Sequence, residues 1–146
     1  MLGMEKTIVF AGGHFSQLQY RFDQIEGVSD TKAGYANGVT AFPKYEDVIA
    51  NKTEHALSVK VFYDPEIISL KKLVEAYLSF LPKEKEEENC YRLGIYYDDL
   101  LDGVEIDLTL TEEGAKPLRI EVMKLCNFFI AELKHQHQNP AYYKAS

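Results

Sequence analysis

The residue best placed for chemistry is His14. It follows a short apolar run and the Gly12-Gly13 pair, and an amphipathic pattern begins at Phe15. A strand, a tight turn and a helix in this order hold a side chain at the positive end of the helix dipole, where nucleophiles are commonly presented. A cysteine is expected in such a position, and here it is a histidine. The imidazole suggests a general base or a metal ligand, although a single exposed histidine more often has neither role.

Tyrosines and a histidine-containing tract are further candidates. Tyrosine hydroxyls could donate hydrogen bonds to a polarised oxygen, while the alternative is that each simply buries its ring. His135 and His137 alternate with glutamines, but alternate residues of one segment rarely complete a coordination shell. We therefore expect no metal and no cofactor. The tyrosines concerned are Tyr45, Tyr91, Tyr96 and Tyr97.

Composition and charge restrict the classes of function. The 146 residues suffice for one domain, expected over 1–146, that needs neither disulfides nor a structural metal. The formal net charge of -7 comes from 23 acidic and 16 basic side chains and argues against a nucleic-acid partner. No apolar stretch approaches the ~18 residues of a membrane span and no export signal is evident, so we expect a cytoplasmic protein. The two cysteines fit neither a metal nor a dithiol spacing.

The elements that position these residues follow from apolar periodicity. Residues 6–11 predict a central strand buried on both faces. Phe15, Leu18, Phe22 and Ile25 form one stripe of a helix that packs on the sheet. Together they predict that residue 14 lies at a junction between strand and helix.

The remaining elements follow in order along the chain. Residues 55–63 alternate and predict a half-buried strand, and Ser69 is suited to cap the helix that follows. Residues 91–97 and 118–125 also alternate and predict two more strands. The other predictions are an extended segment at 31–35, a turn at Asn37-Gly38, and a short helix near 45–50. This order indicates an α+β protein, a split βαβ sandwich with both sheet-covering helices on one face.

Several separated segments together resemble the peptide-methionine (S)-S-oxide reductase family, the A-type methionine sulfoxide reductases. Each segment is similar to a family motif, and the motifs occur in the family's order over most of the chain. The segments are Phe10-Ala11-Gly12-Gly13-His14-Phe15, Gly34-Tyr35-Ala36-Asn37-Gly38, Pro43 with Tyr45, Thr53-Glu54-His55-Ala56 with Tyr63-Asp64-Pro65, Tyr91-Arg92, and Ala131-Glu132 with His135-Gln136. The resemblance implies the ferredoxin-like sandwich of this family and a site for methionine sulfoxide.

The resemblance also implies a loss of catalytic groups. In the family a thiolate attacks the sulfoxide sulfur, releases methionine and becomes a sulfenic acid. His14 stands at the position of that nucleophile and cannot form the acid. Leu57 stands where the family has the glutamate that protonates the sulfoxide oxygen. Ser16 replaces the tryptophan that helps to hold the substrate methyl group, so only Phe15 is left of that apolar wall.

Part of the substrate site is retained in the resemblance. Tyr45 and Tyr91 match the tyrosines that hydrogen-bond the sulfoxide oxygen, and Glu86 falls near the position of an aspartate. Cys90 is expected in the strand that carries Tyr91, with its side chain on the opposite face. Cys126 is expected to fill an apolar gap. The sequence thus predicts a partial sulfoxide site without a well-placed thiol.

Residues 98–115 depart from the family, which usually has a helix there. Val104, Ile106, Leu108 and Leu110 alternate with polar side chains after Gly103. This period of two predicts a strand.

Three functions are open at this level. The first is a pseudoenzyme that binds methionine sulfoxide, free or in a peptide, another small polar molecule, or a protein partner. The second is an enzyme of altered chemistry in which His14 acts as a base or metal ligand near His55, Tyr45 and Tyr91. The third is an active reductase whose nucleophile is Cys126 or Cys90. We favour the first, because replacing a nucleophile, an acid and a methyl-binding wall is harder than abandoning the reaction.

Overall fold

The computed structural model of the chain describes residues 4–81 and 89–138. Its strands are β1 (Lys6–Ala11), β2 (Val28–Ala36), β3 (Ala56–Tyr63), β4 (Gly94–Tyr97), β5 (Glu121–Lys124) and β6 (Phe128–Ile130). Its helices are α1 (Phe15–Asp23), α2 (Tyr45–Ile49), α3 (Leu70–Phe80) and α4 (Leu100–Glu112). The strands form one six-stranded sheet in the order β5-β4-β1-β3-β2-β6.

The predicted split βαβ arrangement is confirmed in the centre of this sheet. β1 pairs antiparallel with β3 and with β4, and β3 pairs antiparallel with β2. The helix α1 connects β1 to β2 around the intervening β3, and α3 connects β3 to β4 around the intervening β1. The central strand order β4-β1-β3-β2 is therefore ferredoxin-like, with β5 and β6 added at the two edges.

Most of the core lies between the helices and one face of the sheet. Leu57, Val59, Val61 and Tyr63 of β3 are at most 1% exposed and pack with the apolar stripes of α1, α3 and α4. The opposite face carries a smaller cluster that includes Val9, Ala11 and Tyr96, covered in part by Leu125 and Phe128. The predicted alternation of β3 is confirmed over its second half, where Lys60 and Phe62 are partly exposed, whereas Ser58 on the same face is buried.

Local sequence signals agree with the geometry at several junctions. The Ser69 hydroxyl accepts a hydrogen bond from the backbone N–H of Lys72 at 3.1 Å and caps α3. Asn37 has a φ of 55° at the predicted turn after β2. The short helix after Pro43 begins at Tyr45. These agreements are local because caps and turns depend on a few adjacent residues.

The prediction of a strand over residues 98–115 is wrong, because this segment contains α4. Ile106 and Leu110, one helical turn apart, face the core, whereas Val104 and Leu108 are 51% and 57% exposed. Two apolar stripes on opposite sides of a helix produce an apparent period of two. The topology also favours a helix, because β4 and β5 are parallel neighbours and parallel strands need a crossover connection.

The strand β6 was not predicted. It is short and pairs antiparallel with β2 over Phe128–Ile130, at the edge of the sheet. It brings the segment that follows, with Glu132 and His135, toward β2 and the loop before α2.

Among the helices in residues 4–81 and 89–138, none is long and apolar enough to cross a membrane.

Candidate functional site

The junction of β1 and α1 holds His14 at the start of the helix. Gly13 has a φ of 70°, which glycine adopts without strain, and His14 then returns to an extended conformation as the N-cap residue. The backbone N–H of Ser16 donates to His14 Nδ1 at 3.2 Å, and Ser16 Oγ lies 2.8 Å from the same nitrogen. The imidazole thus takes the part that an Asn, Asp or Ser side chain usually takes at a helix N-terminus.

The other ring nitrogen of His14 faces Tyr45. Nε2 lies 3.0 Å from the Tyr45 hydroxyl. Because a backbone N–H can only donate, Nδ1 is the acceptor, and the proton of the neutral ring therefore lies on Nε2 and points to the Tyr45 oxygen. Burial, and next the charge of His135, lower the pKa of His14. The geometry and the lowered pKa both favour a neutral imidazole that acts as a hydrogen-bonding group.

An aromatic cluster surrounds this pair. The Tyr45 ring stacks on His135 with ring centroids 4.2 Å apart. Phe15 is fully buried, and its ring centroid lies 6.0 Å from those of Tyr45 and Tyr35 and 5.8 Å from that of His135. Stacked rings of this kind offer a flat apolar surface next to polar ring edges.

Glu132 joins the two segments that carry the aromatic rings. Its Oε1 accepts a hydrogen bond from the Tyr35 hydroxyl at 2.6 Å, and its Oε2 accepts from the backbone N–H of Tyr45 at 3.2 Å. Burial alone would raise the pKa of Glu132, but the hydrogen bond from Tyr35 and those from backbone N–H groups lower it. In turn, burial and this carboxylate raise the pKa of Tyr35. Glu132 is therefore an anion that fixes the start of α2.

His135 is the least satisfied polar group of the cluster. Its ring is 9% exposed, and its buried Nε2 has no hydrogen-bond partner among the described residues. Burial is the main cause that lowers the pKa of His135. A neutral imidazole with an unsatisfied buried nitrogen is costly, and a ligand could satisfy it.

The tract from His135 to Gln138 does not converge on one point. His137 Nδ1 pairs with Asp23 at 2.9 Å, whereas Gln136 hydrogen-bonds both the N–H and the carbonyl of Ala33. Within the described ranges there is no group of three or more side chains that could hold a metal ion. Gln136 instead fastens the end of the described chain to β2.

The sequence-predicted site residues separate into distinct groups. His14, Phe15 and Tyr45 lie together, while Ser16 is fully buried and holds the imidazole. Leu57 is fully buried in the large core. Residue 86, the Glu86 of the prediction, lies outside the described residues.

Tyr91 lies near this junction through its backbone. Its carbonyl accepts a hydrogen bond from the Gly13 N–H at 3.1 Å, and its side chain is partly buried against the large core. Residues 90 and 91 form a turn that precedes β4, so the prediction of a strand from residue 91 is wrong at its start. Cys90 is 2% exposed and lies in the core. The prediction that strand alternation sets the direction of its side chain does not apply, because residue 90 lies in this turn.

Cys126 differs from its expected role. It is exposed rather than an apolar filler, because it lies in the link between β5 and β6, where Asn37 Oδ1 accepts its N–H at 2.7 Å. Its Sγ lies 3.6 Å from the carbonyl of Lys124. Cys90 and Cys126 are not joined in a disulfide.

His55 directly precedes β3, at the end of the sheet where β1 ends. It is 1% exposed, and its ring lies edge-on to Phe129 at 5.7 Å. A side chain at Gly38 would collide with this ring. Burial is the main cause that lowers the pKa of His55. These contacts indicate a packing role beneath the turn at residue 38.

Sequence reasoning did not select Tyr35 or Glu132 as site residues, and it weighed His135 only as a metal ligand. These residues lie in two segments that resemble family motifs, Gly34-Tyr35 and Ala131-Glu132 with His135-Gln136. The resemblance gave the residues no role in the site. Their contact depends on the pairing of β2 with β6, which brings Tyr35 opposite Phe129.

Comparisons with known proteins agree with this fold and with the sequence motifs. A family model described as peptide methionine sulfoxide reductase matches residues 6–146. The peptide methionine sulfoxide reductase MsrA of Lachnoclostridium phytofermentans is 41% identical over 153 residues, covering 96% of this chain and 92% of the relative. The MsrA of Clostridium acetobutylicum is 40% identical over 140 residues, covering 90% and 86%. The chain belongs to the peptide methionine sulfoxide reductase family.

Solved structures show the same fold. Methionine sulfoxide reductase A of Corynebacterium diphtheriae has a TM-score of 0.79 at 23% identity, covering 91% of this chain and 73% of that one. Mxr1 of Saccharomyces cerevisiae in reduced form has a TM-score of 0.77 at 23% identity, covering 97% and 86%. Mxr1 in complex with Trx2 has a TM-score of 0.61 at 21% identity, covering 94% and 88%.

Proposed function

We propose that this chain is a family member that binds methionine sulfoxide without reducing it through residue 14. The observation that carries the proposal is the state of His14, an imidazole with one nitrogen capping α1 and the other facing Tyr45 at 3.0 Å. The family's reaction needs a thiolate at the position that the resemblance assigns to His14. An imidazole nitrogen has no sulfur that could accept the sulfoxide oxygen as a sulfenic acid.

The residue at the position of the family's acid supports the same conclusion. Cleavage of the sulfur–oxygen bond requires a proton for the departing oxygen, and general acids that supply it are usually carboxyl groups or histidines. Leu57, at the position that the resemblance assigns to this acid, is fully buried and offers no proton. Tyr35 is a poor substitute because burial and Glu132 raise its pKa.

The remaining groups suit binding. A sulfoxide oxygen is a strong hydrogen-bond acceptor, and Tyr45 is the donor that the proposal assigns to it, while Tyr45 accepts from His14 Nε2. The proposal assigns contact with the methyl and methylene groups of the ligand to the stacked rings of Tyr45 and His135, against which the fully buried Phe15 packs. The resemblance adds Tyr91 as a second donor. It also adds Glu86, which falls near the position of an aspartate in the family. The ligand class is therefore methionine sulfoxide, free or within a peptide.

Isothermal titration calorimetry tests this binding. N-acetyl-methionine (S)-sulfoxide N-methylamide is titrated into the protein and compared with the same compound in its unoxidised form. The proposal predicts measurable heat for the sulfoxide at millimolar concentration and at least about fivefold weaker binding of the thioether, which lacks the accepting oxygen. Equal affinity for both compounds, or no heat for either, would contradict it.

A reductase that uses another thiol is the second candidate. The exposure of Cys126 and the names of the relatives favour it. A variant with Cys90→Ser and Cys126→Ser separates the two possibilities. If the parent chain forms methionine and the variant does not, a relocated thiol performs the reaction and the proposed function is wrong.

The proposal also keeps the expectations of a single domain over 1–146 and a cytoplasmic location.

A further inference from the structure

The surface around Phe42 is unusual for a water-exposed segment. Phe42 is 84% exposed and has a φ of 47°, a region that bulky side chains rarely adopt. It also precedes Pro43, which further restricts its backbone. A large apolar side chain held outward in a strained conformation indicates a functional constraint more often than a packing need.

The Phe42 ring is positioned by a contact with Phe129. Their ring centroids are 5.4 Å apart at an interplanar angle of 60°. The loop that carries Phe42 is held at its start, where Val39 N–H donates to the Thr53 carbonyl at 2.9 Å and the Asn127 side chain donates to the Gly38 carbonyl at 3.0 Å. The exposed ring therefore has a defined place on the surface.

The pair of Phe42 and Phe129 adjoins the candidate site. Phe129 lies opposite Tyr35 in the pairing of β2 with β6, and Tyr35 shares the Glu132 carboxylate with the backbone of Tyr45. Two other exposed apolar side chains come from the segment that carries Glu132: Ile130 is 63% exposed and Leu133 is 88% exposed. Exposed apolar side chains therefore flank both Tyr45 and Glu132 along the chain.

We propose that Phe42 and Phe129 form a subsite for an apolar side chain adjacent to the oxidised methionine of a peptide. The inference rests on the proposed function, because the sulfoxide must occupy the site beside Tyr45. Among the described residues β6 is an edge strand, and edge strands are the elements with which extended peptides pair. The subsite selects oxidised methionines in apolar sequence contexts over free methionine sulfoxide.

Affinities for three acetylated, amidated tripeptides test the subsite. The sequences are Gly-Met(O)-Gly, Leu-Met(O)-Gly and Gly-Met(O)-Leu, each with the (S)-sulfoxide and each compared with its unoxidised form. One leucyl peptide is expected to bind about fivefold more tightly than the glycyl peptide, a difference of about 1 kcal/mol. Phe42→Ala is expected to remove this advantage, and Phe42→Leu to retain most of it. Leu101→Ala, which truncates a side chain 75% exposed on α4, is the matched control and should change nothing.

The outcomes separate the subsite from the proposed function. If the glycyl sulfoxide peptide binds better than its thioether but leucine adds nothing, the subsite is wrong and the function stands. If no sulfoxide peptide binds better than its thioether, the proposed function is wrong, and the subsite defined by it is overturned as well. If Phe42→Ala changes the oligomeric state in analytical ultracentrifugation and leaves peptide affinity unchanged, the surface joins copies of this chain and the subsite is wrong.

Discussion

Nε2 of His14 lies 3.0 Å from the hydroxyl of Tyr45, and this contact joins the N-terminus of α1 to the N-terminus of α2. The two residues are separated by β2 in sequence and meet only in the folded chain. In the proposed function, the imidazole orients the tyrosine that binds the sulfoxide oxygen. The proposal thus gives this pair a hydrogen-bonding role at the position where the resemblance implies a reacting thiolate.

Removal of the Tyr45 hydroxyl tests this orientation. Tyr45→Phe leaves His14 Nε2–H without its acceptor and deprives the sulfoxide of a donor. We expect methionine (S)-sulfoxide affinity to fall about five- to tenfold, which corresponds to the loss of a hydrogen bond of about 1 kcal/mol. Calorimetry measures the change. Tyr20→Phe, on the exposed side of α1, is the control and should leave the affinity unaltered.

A thiol at residue 14 tests which group limits the reaction. His14→Cys places sulfur at the N-terminus of α1, where the helix dipole favours a thiolate. We expect this variant to form methionine from methionine (S)-sulfoxide, up to about one equivalent per protein without added reductant, because each sulfenic acid needs a further thiol to be recycled. His14→Ser introduces a side chain of similar size to cysteine but without sulfur, and this variant should form no methionine. Equal product from the two variants would refute the role assigned to this position.

The lowered pKa values of His14, His55 and His135 predict an acid-sensitive fold. Each ring binds its proton more readily in the unfolded chain, so the stability that depends on the neutral form is fully present above about pH 6.5 and is lost as the pH falls toward the folded-state pKa values. The urea unfolding free energy should therefore decrease from pH 7.5 to pH 5.5. His14→Asn keeps an N-cap acceptor and removes one titrating group, so its pH dependence should be shallower. An identical slope would exclude a contribution from His14.

The Glu132 carboxylate predicts a second dependence at lower pH. Its lowered pKa means that its contribution to stability is present above the unfolded value of about 4.3 and is lost as the pH falls through the folded value. Glu132→Gln should lower the unfolding free energy at pH 7 by roughly 1 kcal/mol, because the bonds from Tyr35 and from the Tyr45 N–H lose a charged acceptor. It should also reduce the loss of stability near pH 4. Glu113→Gln, an exposed carboxyl group after α4, is the control, and an equal effect there would count against a specific role for Glu132.

The predictable part of the fold is the part with a simple local pattern. The strand β1 and the helix α1 follow from one apolar run, a glycine pair and one stripe, and the Ser69 cap follows from the preference of helix termini. The helix α4 was missed because its exposed stripe at Val104 and Leu108 interrupts the helical periodicity of Ile106 and Leu110. The strand β6 was missed because three residues are too few for a recognisable alternation.

The site was predictable to a similar extent. The place of His14 follows from the adjacent glycines, and its proximity to Tyr45 was suggested by the family resemblance. The bond between Tyr35 and Glu132 joins residues 97 positions apart, and no local pattern reveals it. The roles of Ser16 and Cys126 also depend on neighbours that only the fold supplies, the His14 ring and Asn37.

A single-turnover assay shows whether any group of this chain reduces methionine (S)-sulfoxide. Stoichiometric, fully reduced protein is mixed with methionine (S)-sulfoxide without any other reductant, and both the methionine formed and the free thiols remaining are quantified. If the chain binds the sulfoxide without reducing it, no methionine forms above the protein-free control and neither thiol is lost. Methionine formation with the loss of a thiol would contradict the proposed function, because Cys90 or Cys126 would then have taken over the reaction that His14 cannot perform.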